Sequence, residues 1–162
     1  MNKPPLYIFH KNRVDLTLKA YNSVRNDFSV TLIDNSDNHE LEGMEYHWEV
    51  YVPPIPFTFA QSHALILKWA NIRGLKHFYW MHNDGVSNPD TNTKLIEYVN
   101  NLSEKWGVVF TYYDVMACFN VEALNSIGSL YTWYEQYYWD SMVYHMMRCN
   151  GYATLDTGLK VE

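Results

Sequence analysis

Three apolar runs of strand length end in clusters of polar side chains. His10-Lys11-Asn12-Arg13 follows residues 6–9, Asp34-Asn35-Ser36 follows 28–33, and His82-Asn83-Asp84 follows 78–81. In an open α/β sheet the loops at the carboxyl ends of the strands converge, and ligands bind in the crevice between them. Singly, each cluster reads as a solvated turn. Together, at corresponding places, they read as a site. The strongest chemistry lies in His82-Asn83-Asp84-Gly85. Asp84 is delivered to the mouth of a buried strand, and no Lys or Arg lies between Lys76 and Lys94 to neutralise it. A carboxylate so placed suits magnesium or manganese, and an imidazole from His82 tilts the choice toward manganese. Taken alone, Asp84 also fits an Asp-Gly turn, and His82 a satisfied surface histidine. A further acid, Asp140, follows the aromatic stretch Tyr131, Trp133, Tyr134, Tyr137, Tyr138 and Trp139. Such faces suit stacking on sugar rings or nucleobases, although most are expected to pack a core. At a helix start, Asp140 serves equally as an N-cap.

The elements that must position these groups alternate between strand and helix. Strands are expected at 6–9, 28–33, 46–50, 78–81, 106–110 and 115–119. Helices are expected at 15–25 (capped by Asp15), 60–70 (stopped by Gly74), from Asn88-Pro89, at 121–127 and at 140–148 (ended by Gly151). Pro53, Pro54 and Pro56 make 52–57 an extended connection, and 129–138 reads as a loop. This alternation predicts a Rossmann-like, mostly parallel α/β sheet flanked by helices.

Composition bounds the function. The 162 residues are 48% hydrophobic and 19% charged, enough for a real core and poor for a disordered tail. The formal net charge of -6 does not support nucleic acid as a partner. Two cysteines, Cys118 and Cys149, exclude a disulfide scaffold and a four-cysteine zinc module. The seven histidines show no zinc spacing. Residues 6–9 are cut short by His10-Lys11-Asn12-Arg13, which argues against a secretory signal. No window approaches the roughly 20 apolar residues of a membrane span. A cytoplasmic protein without a membrane span is expected.

From Leu6 to about Thr157 the chain resembles the large inverting family of GT-A-fold glycosyltransferases in a short version, which implies that residues 1–162 form one nucleotide-sugar-binding domain. Tyr7 to Arg13 is similar to that family's first strand and nucleotide loop, which assigns His10, Asn12 and Arg13 to the donor. Residues 28–36 resemble its second strand, whose terminal acid, here Asp34, contacts base or ribose. Phe78 to Asp84 is similar to the strand that carries the metal motif, with Asn83 on the donor and His82 and Asp84 on the metal. Trp139-Asp140 resembles the acidic motif that supplies the catalytic base, followed by Arg148 and Gly151-Tyr152. There are departures. The family's Asp-x-Asp reads His82-Asn83-Asp84 here, its acidic pair reads Trp139-Asp140, and its usual helix asparagine has no counterpart at 59–70.

The resemblance implies a nucleoside-diphosphate sugar as donor, Mn²⁺ or Mg²⁺ on Asp84, and Asp140 as the base that activates an acceptor hydroxyl, on a glycan or another hydroxyl compound. It leaves room for a homo-oligomer. The alternative is a module that binds a nucleotide sugar or glycan without transfer, favoured by the carboxylates missing at His82 and Trp139. A nucleotidyltransferase lacks its Gly-rich, Lys-containing loop near the first strand.

Overall fold

Strand and helix alternate to build one seven-stranded sheet with helices on both faces in the computed structural model, which describes residues 3–44, 48–128, 130 and 138–162. The elements are β1 (Pro5–His10), α1 (Val14–Val24), β2 (Ser29–Asp34), β3 (Glu49–Tyr51), α2 (Phe59–Arg73), β4 (His77–His82) and α3 (Pro89–Asn100). They continue with β5 (Trp106–Phe110), β6 (Met116–Asn120), α4 (Val121–Ser126), α5 (Trp139–Cys149) and β7 (Ala153–Asp156). The sheet order is β3-β2-β1-β4-β6-β5-β7. Among the described residues only β6 runs antiparallel, to both β4 and β5. The mostly parallel α/β expectation holds.

Both faces of the sheet are covered, which is why its central strands read as continuous apolar runs. Side chains alternate across β1. Tyr7 and Phe9 enter a core shared with α2, α4 and α5, whereas Leu6 and Ile8 enter one shared with α1 and α3. Much of the aromatic excess is core: Trp139, Tyr7, Tyr79, Phe28, Phe78 and Phe119 are fully buried.

Helix α2 begins with a reciprocal cap. Thr58 Oγ1 accepts the Gln61 N–H at 3.2 Å, and Gln61 Oε1 accepts the Thr58 N–H at 2.8 Å. Gly74, at φ 65°, closes the helix in the left-handed conformation. Thr58→Ala should therefore lower stability by about 1 kcal/mol in urea unfolding. A change of only a few tenths would show that the cap is dispensable.

Two expected caps are corrected. Asp15 does not cap α1: Arg13 holds the N-cap position at φ 63°, and Asp15 lies in the first turn. Asp140 does not cap α5 either, because Tyr138 stands there at φ 64° and Asp140 follows in the first turn. In both places the chain enters the helix through a left-handed residue, so the carboxylate two residues later aligns with the helix dipole instead. Strand β7, beyond Gly151, was not expected. Its four residues show no clear alternation, and backbone pairing with β5 forms it. Tyr46 and His47 of the expected third strand, and Tyr131, Trp133, Tyr134 and Tyr137, lie outside the described residues.

Candidate active site

The chain moves outward from β1 to β2 and β3, then returns to place β4 on the other side of β1. At such a reversal the strand ends leave a crevice. A cleft of about 780 Å³ lies there. The ends of β1 and β4 supply Phe9, Lys11, Trp80, His82 and Asn83, while Asn35 enters from the loop after β2. The turn before β6 brings Tyr113 and Asp114, and the start of α5 brings Tyr138, Asp140, Ser141 and Tyr144.

Antiparallel β6 is what carries that turn to the carboxyl end of β4. The His82 N–H donates to the Val115 carbonyl at 2.9 Å. The approach is close enough to explain Gly85, where an added Cβ would lie 2.6 Å from Val115 Cγ1. Thr111 secures the turn: its Oγ1 accepts the Met116 N–H and donates to the Met116 carbonyl, both at 3.1 Å. On the other side, buried Thr17 of α1 joins two strand ends. Its Oγ1 lies 2.7 Å from His10 Nδ1 and 3.3 Å from Asn83 Nδ2.

Of the residues singled out in the sequence, His82, Asn83 and Asp140 line the cleft, and Asp84 is exposed on the turn beside His82. His10, Asn12, Arg13 and Asp34 are not among its lining residues. His10 is fully buried between Thr17 and Glu40, whose Oε2 lies 3.0 Å from Nε2. Arg13 is exposed and clamps Asp15 through two 3.0 Å bonds, and Asn12 precedes it at φ 53°. The buried Asp34 carboxylate organises its own loop. Oδ1 accepts the Ser36 N–H at 3.0 Å and hydroxyl at 2.5 Å, and Oδ2 accepts the Leu41 N–H at 2.9 Å. Its neighbour Asn35 reaches the cleft instead, held by Ser62 Oγ at 2.9 Å and the Phe57 N–H at 3.2 Å.

Charge in the cleft is mostly negative. Crowding against Trp80, with ring centres 4.5 Å apart, lowers the pKa of His82 by desolvation, while Asp84 and Asp140 pull it back up. These two acids, 56 residues apart in sequence, thus act on one imidazole. Asp114 was missed in the sequence. Burial pushes its carboxyl up to about 7, the Tyr144 hydrogen bond opposes this, and Asp140 and Asp156 raise it further. Tyr144 donates to Asp114 Oδ2 at 2.5 Å, and Oδ1 is buried with no partner. The acid directly before an apolar run was the only signal, and it reads as an ordinary turn residue.

Among the described residues no three His, Cys, Asp or Glu gather into a metal cage. A magnesium site that uses substrate phosphates needs only one or two carboxylates, and the exposed Asp84 is such a group.

No protein-family profile and no curated protein matches the chain. Solved structures share its fold. TarS from S. aureus (residues 1–349) aligns with a TM-score of 0.58 at 11% identity, over 76% of this chain and 48% of that one. The chain thus spans about half the length of that TarS structure. A cytidylyltransferase from Leptospira borgpetersenii aligns at 0.61 and 10% identity, over 96% of this chain and 76% of its own. A glycosyltransferase involved in glycosylation of the major capsid of PBCV-1 aligns at 0.52 and 16% identity, over 95% and 81%. The fold is therefore the GT-A-like sheet that glycosyltransferases and cytidylyltransferases also use.

Proposed function

We propose that residues 1–162 form one nucleotide-sugar-binding unit that transfers a sugar from a nucleoside diphosphate to an acceptor hydroxyl, with inversion. The observation that carries this reading is the meeting of His82, Asn83 and Asp140 in one cleft at the strand-order reversal, with Asp84 beside it. Asp84 and His82 would hold Mn²⁺ or Mg²⁺, and the bound ion would stabilise charge growing on the departing diphosphate. Asn83 offers an amide donor to phosphate or ribose oxygens. Lys11 offers an ammonium once it leaves Asp37, an exposed pairing at 3.1 Å that costs at most about 1 kcal/mol to break. Asp140 takes the acceptor proton as that oxygen attacks the anomeric carbon opposite the leaving group.

Manganese should raise the melting temperature of the protein with a nucleoside diphosphate, and Asp84→Ala should abolish that rise. A rise that persists in the variant would remove the metal assignment. The carboxylates missing at His82 and Trp139 favour a second reading, a module that binds a nucleotide sugar or glycan without transfer. A transfer assay at saturating donor separates the two. Nucleotidyl transfer fits less well, because His10-Lys11-Asn12-Arg13 has no glycine with which to cradle a triphosphate.

A further inference from the structure

Tyr113 and Tyr138 stand at the mouth of the cleft, 81% and 68% exposed, the two most exposed aromatic side chains among the described residues. They come from different elements, and each sits on left-handed backbone, at φ 58° and 64°. Large side chains rarely adopt that conformation, and where they do the strain tends to accompany function. Behind them lie Asp114, with its unpartnered Oδ1, and Asp140 and Ser141 at the first turn of α5. Tyr144, one helical turn beyond Asp140, ties α5 to Asp114 and so fixes the two carboxylates relative to each other.

We propose that this half of the cleft receives the acceptor, and that the acceptor is a neutral carbohydrate ring. The inference rests on the glycosyl-transfer reading and deepens it. Aromatic faces match the C–H face of such a ring, and its hydroxyls supply the donors that Asp114 Oδ1 lacks and that Asp140 and Ser141 can use. The charges exclude the other classes. Asp114 and Asp140 face the space, Asp156 adds to the field at Asp114, and the only cation lining the cleft among the described residues is Lys11, itself on Asp37. An anionic acceptor, whether nucleic acid, phosphorylated sugar or uronate, would meet like charge. An alkyl chain would leave Asp114 Oδ1 without a donor. A nucleobase could stack between the tyrosines, but its phosphates would then lie against the two acids.

The test is a ligand-observed NMR titration of the intact chain with neutral methyl glycosides, the matching uronates and mononucleotides, each with and without uridine, guanosine and thymidine diphosphate. At least one neutral glycoside should bind more tightly than its uronate. Tyr113→Ala, a change at an exposed position whose backbone alanine can also adopt, should weaken that binding roughly three- to tenfold, and Tyr98→Ala on α3 should not. Binding of no neutral glycoside, equal binding of the uronate, displacement by a mononucleotide, or unaltered affinity in Tyr113→Ala would overturn the proposal. The diphosphate arm keeps the two readings apart. Glycoside binding without any diphosphate binding would sink the transfer reading and leave the sugar subsite standing, and the reverse would sink the subsite alone.

Discussion

Acidification from pH 7 to pH 3 should remove about 4 kcal/mol of stability through His63 alone. The ring is fully buried among Phe9, Phe59, Trp80, Phe119 and Trp139, whose ring centres lie 4.2 to 5.5 Å away. Desolvation drives its pKa from 6.5 to about 3, a bond to the Phe59 carbonyl opposes this, and the neighbouring His82 adds to the fall. Nδ1 lies 3.1 Å from that carbonyl, and Nε2 has no partner. The unfolded chain takes up its proton near pH 6.5 and the folded chain only near 3. The contribution is thus complete above 6.5 and drains away as the pH falls toward 3. Since small proteins keep only about 5–15 kcal/mol in total, this is a route to acid unfolding. Asp114 acts in the opposite sense. Its raised pKa penalises the fold most above pH 7, and protonation relieves the penalty as the pH falls toward 4. Between pH 7 and pH 4 the two effects are of similar size and opposite sign, so urea midpoints should stay nearly level in the native chain and rise in His63→Phe, where only the relief at Asp114 remains. An equal slope in both would show that some other group governs the acid limit.

Asp140→Asn should leave donor binding in place and cut transfer by roughly 10²-fold or more. Asp140 lines the cleft in the first turn of α5 and influences both His82 and Asp114, so it reaches the groups expected to face donor and acceptor. The competing role is a favourable alignment with the helix dipole, worth about 0.3–1 kcal/mol. Single-turnover transfer and thermal melting, measured on the same variant, separate the roles. A lower melting point with undiminished transfer would confine Asp140 to its helix.

The polar strand end of β4 lines the cleft, whereas the Asp34 carboxylate at the end of β2 turns into its own loop, for a physical reason. At β4 the acidic turn stays in contact with solvent because Gly85 lets it pass closely beneath Val115. At β2 the same residue types fold back on themselves, and Asp34 satisfies Ser36 and Leu41 before any ligand arrives. The two outcomes look alike in sequence, since a turn needs the same acceptors that a ligand does. His10 is a similar case: its partners Thr17 and Glu40 lie on different segments, and only their convergence shows that both ring nitrogens are taken.

Local chemistry, by contrast, was sufficient for the frame. Apolar runs buried on both faces mark β1, β2, β4 and β5, and Asn88-Pro89 and Gly74 mark a helix start and a helix end, because these signals act within a few residues. The order β3-β2-β1-β4-β6-β5-β7 depends on pairings between distant segments. So do the strand β7 and the arrival of Asp114 opposite Asp140. Backbone hydrogen bonds that pair strands are indifferent to side-chain identity, so the sequence alone determined which segments become strands and helices and that acids stand at their ends. Tertiary pairing decided which of those acids share a cleft and which are sealed inside their own loops.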